Sequence, residues 1–245
     1  MMLMNKTAVV YGGSGHVGGA VARVFAREGA RVFLAGRKLD ELEKHAAEIG
    51  AAGAAYVDAT DRDQVEAHLD AVGPVDVSVN AVSLHGTVMG TPLTELDVSD
   101  FLAPVSYGLR AHFVTATASA RRMAVAGSGT ILTFSTTAAR LSAPDQRQHR
   151  TGGFGTACAA IEAMTMTLAG EVGPLGVRVV CLRPDAMPET WGAGAEPDPQ
   201  MQASTALGRM PTLAQVAETA AFVASDRAGA MTRTVVNLSC GSVLD

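Results

Sequence analysis

Two hydrophobic periods alternate along this chain. Thr7 to Tyr11 is a short, unbroken apolar run, the pattern of a strand buried on both faces. Val17, Ala20, Val21, Val24 and Phe25 then recur at helical spacing as far as Arg27, and Gly29 ends the pattern. The cycle repeats with a strand over Arg31–Leu34 and a helix over Leu39–Ile49, whose first turn carries Asp40 and Glu41. A strand over Ala54–Val57 and a helix over Asp61–Val72 come next; Gly73-Pro74 breaks that helix, and a strand follows over Val75–Val79. The rest predicts a long helix over 98–125, a strand over Thr130–Ser135 and a second long helix over Thr156–Val172, ended by Gly173-Pro174. A strand over Val177–Leu182, a helix over Leu213–Ser225 and a last strand over Thr234–Leu238 complete it. This alternation implies an α/β fold: one doubly wound, mostly parallel sheet of about seven strands with helices on both faces. No linker or repeat divides residues 1–245, so a single domain with a full core is expected. The irregular stretches 137–153 and 184–211 both follow strand ends on the side where open α/β sheets bind ligands. Loops that long are expected to act as lids or site walls.

The first strand-to-helix turn carries the clearest chemistry. Gly12, Gly13, Ser14, Gly15, His16, Val17 and Gly18 lie between strand and helix. Glycines there let the chain turn tightly and bring backbone N–H groups against a phosphate, and the helix N-terminus adds a favourable partial charge. A glycine motif framed by these two elements predicts a Rossmann-type dinucleotide site. His16 is unusual in such a turn; its ring is a candidate to cap the turn, meet a phosphate or narrow the pyrophosphate path. After the second strand, LAGRK offers Arg37 and no carboxylate before Asp40. A guanidinium fork suits a ribose 2′-phosphate, so NADP(H) is expected over NAD(H). Asp58, just past the third strand, is a candidate acceptor for the adenine amine, or else a cap at the start of the following helix.

Composition removes other classes. The net charge of -5 and the absence of a basic block give no nucleic-acid signal. Cys158, Cys181 and Cys240 stand far apart, at neither metal nor disulfide spacing, which predicts no metal and suits a reducing, cytoplasmic setting. MMLMNK is too short before the first strand to read as a signal peptide, and no apolar run long enough to span a bilayer stands clear of the α/β pattern.

With these motifs in place, the chain resembles the short-chain dehydrogenase/reductase family over nearly its whole length. YGGSGHVG (11–18) is similar to that family's TGxxxGxG turn, with Tyr11 in the threonine place and His16 in that of the middle glycine. VDAT (57–60) resembles the adenine-contacting segment and adds Ala59 to Asp58. VNAVS (79–83) resembles the NNAG stretch; Asn80 keeps the first asparagine, and Ala81 follows. LTFSTTAA (132–139) resembles the strand that ends in the catalytic serine, with Thr136 in the serine place between Ser135 and Thr137. AAIEAMTMTLAGEVGPLGVRVVCLRP (159–184) resembles the long helix and the strand after it and anchors the register, with Pro184-Asp185 for the PG that usually follows. TRTVVNLSCG (232–241) resembles the closing strand, with Ser239 for the aspartate of VDGG. The register puts Phe154 and Cys158 at the family's YxxxK tyrosine and lysine. Phe154 has no hydroxyl to give a proton, and Cys158 supplies no fixed positive charge. Gly108 falls near the relay asparagine, just after Ser106 and Tyr107. The resemblance therefore implies an oxidoreductase scaffold with an atypical active site.

Three functions suit that combination. In the first, NADP(H) exchanges hydride with a small or medium apolar carbonyl, enone or imine; Ser135, Thr136 and Thr137 orient the substrate, and His149 or Tyr107 handles the proton. In the second, the scaffold serves a non-redox cyclase, isomerase or dehydratase. In the third, it is a catalytically inactive partner or cofactor sensor that associates with another member of the family. Fold alone does not choose among them. Residues 187–210 resemble the family's substrate-covering region. Met187, Trp191, Met201 and Met210, with Phe154 and Cys158, are candidates to line an apolar pocket, and Gly192 and Gly194 to let a lid move. The two long helices are rich in Ala, Thr and Met, and the resembled family assembles through such helices, so a homodimer or homotetramer is expected.

Overall fold

A computed structural model describes residues 1–84, 87–192, 194, 196 and 199–244. Seven strands form one parallel sheet: β1 (Thr7–Tyr11), β2 (Arg31–Gly36), β3 (Gly53–Tyr56), β4 (Val77–Asn80), β5 (Gly129–Phe134), β6 (Val177–Pro184) and β7 (Thr234–Leu238). Their order is β3-β2-β1-β4-β5-β6-β7, every pair parallel. Helices α1 (His16–Arg27), α2 (Leu39–Ile49), α3 (Arg62–Val72), α4 (Val98–Pro104), α5 (Arg110–Ala126), α6 (Ala143–His149), α7 (Gly152–Val172), α8 (Pro199–Ala203) and α9 (Leu213–Ala224) connect and cover it.

The strands are apolar because both faces are buried, and alternate residues serve opposite cores. Val10, Leu34, Val79, Leu132 and Val180 pack with Val21 and Phe25 of α1 and Ala217 and Ala220 of α9. Val9, Ala35, Ile131 and Val179 pack on the other side with Leu69 of α3, Met123 of α5 and Leu168 of α7. The winding reverses between β1 and β4, where Ala81 N donates to Tyr11 O at 3.0 Å. That reversal opens the crevice in which such sheets hold ligands.

Four stretches differ from the pattern-based expectation. The long helix over 98–125 is broken: α4 ends at Pro104, a π turn spans Val105–Leu109, and α5 continues from Arg110. Pro104 removes a backbone donor at the break, and Gly108 packs so closely that a Cβ there would lie 2.0 Å from Leu84 Cδ2. The second long helix begins at Gly152, four residues before Thr156. Its glycines read as a loop, yet they are contacts: a Cβ on Gly153 would meet Phe101 O at 1.9 Å, and one on Gly155 would meet Ala138 O at 2.8 Å. The irregular stretch 137–153 contains α6, started by Ser142, whose hydroxyl accepts from Asp145 N at 3.4 Å. In the stretch 184–211, a 3-10 turn (Pro188–Thr190) and α8 are present; residues 193, 195, 197 and 198 lie outside the described residues.

Candidate functional site

Two cavities meet at the glycine turn. The first, about 430 Å³, runs over the carboxyl ends of β1, β2 and β3 and is lined by Gly12, Ser14, Arg37, Val57, Ala59 and Tyr107 among others. The second, about 640 Å³, lies beyond β5 and β6. Gly15, His16, Ala81, Val82 and Ser83 line both and form the waist between them. Val17 faces the second cavity.

The glycines divide by role. Gly12 has φ +80°, and a Cβ there would stand 2.4 Å from Ala81 O. A Cβ on Gly18 would stand 2.3 Å from Gly12 O, and one on Gly13 would press on Leu34 at 3.0 Å. Gly13 and Gly18 are buried and line neither cavity, so their part is packing. Gly15 caps α1 with no side-chain hydrogen bond to the first N–H groups. A helix N-terminus left this way faces an anion readily. These are features a dinucleotide pyrophosphate needs: glycines at Gly12 and Gly15, open N–H donors and a cleft on each side, with His16 standing at the waist between them. The residues therefore fit a nicotinamide dinucleotide.

At the nucleotide end the Arg37 guanidinium carbon sits 4.9 Å from the Tyr107 ring centroid. That corrects the expectation of Tyr107 as a proton donor: it lines the first cavity and not the second, where Thr136 and His149 lie. Asp58 lines neither cavity; its Oδ1 accepts from Thr60 N at 2.9 Å and Thr60 Oγ1 at 2.8 Å. Burial opposes its charge, but those bonds and the nearby Arg37 and Arg110 hold the carboxyl below its usual range. Asp58 thus shapes the turn after β3, while Asp61 caps α3 by accepting from Asp63 N and Gln64 N. Asn80 is fully buried at the end of β4 and also lines neither cavity, which makes it a core residue rather than a wall of the cleft.

The larger cavity gathers most of the remaining candidates. Thr136, His149, Phe154, Cys158, Pro184, Met187, Trp191 and Met201 all line it, and neither tyrosine nor lysine is among its described lining residues. Phe154 and Cys158 project from successive turns of α7. The Thr136 hydroxyl is 3.5 Å from Cys158 Sγ and accepts from Ala138 N at 3.2 Å. His149, the last residue of α6, borders this cavity and also an adjoining chamber of about 140 Å³ with Asp145, Asp185 and Ser242. Met210 lines only that chamber.

Ser135 is a further correction. Its backbone reaches the cavity end of β5, but its hydroxyl turns inward and donates to Glu162 Oε1 at 2.8 Å. Arg183 Nε donates to the same oxygen at 2.9 Å, and Arg140 Nε lies 3.5 Å from Oε2. Thr137 donates to Asp185 Oδ1 at 2.8 Å, which Ser242 Oγ also secures through Oδ2. Of the three neighbouring hydroxyls, only that of Thr136 is left toward the cavity. Sequence reasoning missed Glu162 and Arg183. The signal was present: an arginine inside the buried run VRVVCLRP needs an anionic partner.

Burial pushes the Cys158 and Cys181 thiols up to about 11, whereas Cys240 is only partly buried. Iodoacetamide at pH 8 is expected to modify Cys240 alone in the native protein, because the thiolate is the reacting form. Peptide mass spectrometry reads the sites; rapid native labelling of Cys158 would contradict its placement.

Among the described residues no helix is long and apolar enough to cross a membrane, and no group of His, Cys, Asp and Glu is placed to hold a metal ion. The sequence profile of the family described as Enoyl-(Acyl carrier protein) reductase matches residues 14–242. The chain is 29% identical over 237 residues to D-threitol dehydrogenase of Mycolicibacterium smegmatis, covering 92% of this chain and 88% of that one. It is 27% identical to 3-oxoacyl-[acyl-carrier-protein] reductase FabG of Chlamydia muridarum, covering 98% of each. A solved structure described as a short chain dehydrogenase/reductase family protein superposes with a TM-score of 0.85 at 30% identity, covering 98% of both chains. The chain belongs to the short-chain dehydrogenase/reductase family of oxidoreductases, which bind NAD(H) or NADP(H).

Proposed function

We propose that this protein is an NADP(H)-dependent oxidoreductase acting on a small or medium apolar carbonyl, enone or imine. One observation carries the reading: a nucleotide cleft opens through a glycine waist onto an apolar cavity lined by Thr136 and His149 among its polar residues. The cofactor, when bound, supplies or accepts the hydride. Arg37 holds the ribose 2′-phosphate. Gly12, Gly15 and the start of α1 face the pyrophosphate. Phe134, Phe154, Met187, Trp191 and Met201 keep the second cavity apolar and shed water from it. Thr136 donates a hydrogen bond to the substrate oxygen or nitrogen, and His149 delivers the proton, in place of the tyrosine and lysine that Phe154 and Cys158 replace. The outer face of α5, with Phe113 and Val125 exposed, suits contact with a second copy of the chain.

Titration with NADPH and NADH tests the cofactor reading. Arg37→Ala is expected to weaken NADPH binding at least about tenfold, the size of a lost charge-assisted hydrogen bond. NADH affinity should change by less than about threefold, since the 2′-phosphate is what Arg37 selects. Equal losses for both would remove the phosphate role, and failure of the wild type to bind either would remove the function. A second reading rests on Phe154 and Cys158 themselves: a family member that binds NADP(H) without turnover and serves as partner to another member. Tight NADPH binding with no oxidation across a panel of apolar ketones, enones and imines would favour it.

A further inference from the structure

The stretch after β5 borders two spaces, and only one of them has a role so far. α6 sends Asp145 and His149 to the small chamber beside the larger cavity. Gln146, Arg147 and Arg150 line a separate groove of about 590 Å³. Thr91, Pro92 and Leu93 line it too, as do the first two turns of α7. Ala138 and Thr151 line both the groove and the larger cavity, so the two spaces share a wall. Among the described residues no aspartate or glutamate lines the groove, and neither arginine forms an ion pair. Arg150 Nη1 donates to Gly90 O at 3.3 Å, which leaves most of that guanidinium for another acceptor. The start of α7 adds to the positive field, because no side chain caps it. Thr151, at the head of that helix, is 5% exposed, yet its hydroxyl has no hydrogen-bond partner among the described residues. Gly155 leaves that hydroxyl uncovered: a Cβ there would lie 2.7 Å from it. A buried hydroxyl is costly unless some acceptor or donor meets it.

We propose that this groove is an oxyanion subsite, in which Arg147 and Arg150 hold a carboxylate or phosphate group and the Thr151 hydroxyl donates to one of its oxygens. Each part suits that chemistry. Guanidinium forks match both groups with paired N–H donors. The open end of α7 favours negative charge. A cation would meet two like charges. An apolar occupant would strip water from the arginines and from Thr151 and return no hydrogen bond. The anion has two possible sources: the far end of a substrate whose reacting group lies in the larger cavity, or a free anion. The first source rests on the proposed reductase reading; the subsite itself does not.

Phenylglyoxal labelling of the full chain, read by peptide mass spectrometry, tests the subsite without cofactor or turnover. Inorganic phosphate, with chloride holding ionic strength constant, is expected to slow labelling of Arg147 and Arg150 by at least about threefold, through charge-assisted hydrogen bonds to both guanidiniums. Glutarate, a dicarboxylate, should protect the same pair. Exposed Arg233, just before β7, should label at an unchanged rate. In Thr151→Val, which removes the hydroxyl and keeps the branching, protection should require several-fold more phosphate. Equal slowing of Arg233, or unchanged protection in Thr151→Val, would overturn the proposal by showing only a general attraction of anions to surface arginines. Labelling of Arg147 and Arg150 that ignores both anions would overturn it outright. Turnover then separates the sources. If the substrate carries the anion, an oxo acid should exceed its methyl ester at least about tenfold in kcat/KM, and an Arg147→Gln, Arg150→Gln double variant should erase that preference while sparing the ester. If a free anion fills the groove, acid and ester should run alike while protection persists. Protection in a protein that turns over neither would uphold the subsite and remove the reductase reading.

Discussion

Replacing Glu162 by alanine is expected to destabilise the fold by about 3–5 kcal/mol, the cost of breaking one partner out of a buried ion pair. Glu162 is 4% exposed and Arg183 2%. One carboxylate oxygen accepts from both Ser135 Oγ and Arg183 Nε, and the other faces Arg140. These contacts tie three elements together beneath the larger cavity: the end of β5, the middle of α7 and the end of β6. Removing the carboxylate leaves a buried guanidinium without its counter-charge and a buried hydroxyl without its acceptor. Both penalties exceed the loss of the contact itself. Glu162→Gln, which keeps an acceptor but no charge, should fall between alanine and wild type. A Glu162→Leu, Arg183→Met double variant removes both charges and should be far milder than Glu162→Ala, because the desolvation of each is then avoided. Urea unfolding midpoints at constant slope read all three. Glu162→Ala within about 0.5 kcal/mol of wild type would mean that water reaches the pair in solution.

The same cluster explains what could and could not be read from the sequence. The strands and the glycine turn were legible because their signals are local: apolar runs set strands, and Gly12 to Gly18 follow one and open a helix. The start of α7 was not, because glycine normally argues against a helix and the reason for it here lies fifty residues away in Phe101. The π turn at Val105–Leu109 shifts hydrogen-bond register by one residue, which leaves the composition unchanged. That single shift separates Tyr107 the proton donor, as expected, from Tyr107 the wall of the nucleotide cleft. Ser135, Thr136 and Thr137 look interchangeable in sequence. Strand geometry sends successive side chains to opposite faces, so Ser135 meets Glu162 while Thr136 meets the cavity. Phe154 and Cys158 share the cavity wall because they stand at i and i+4 on α7; the sequence pattern, which starts that helix at Thr156, did not show this, and only the family resemblance paired them.

His149→Phe is expected to slow turnover by two to four orders of magnitude, the usual worth of a positioned general acid. Carbonyl reduction places hydride on carbon and must then place a proton on oxygen. The larger cavity offers few groups able to give one: Cys158 holds its proton too tightly, at about 11, and Phe154 has none. Thr136 orients but exchanges protons poorly. Two imidazoles line the cavity: His16 stands at the waist between the two clefts, whereas His149 lies beyond β5 with Thr136 and borders the smaller chamber with Asp145, Asp185 and Ser242, so the proposed mechanism assigns the proton to His149. Phenylalanine preserves a flat ring in the wall, so NADPH affinity should stay within about twofold, and the loss should sit in kcat. Steady-state NADPH oxidation with any apolar ketone or imine that the wild type turns over measures this. A variant within threefold of wild type would move the proton source to water held by Thr136 and restrict the substrates to those, such as enones or iminium ions, that ask least of an acid.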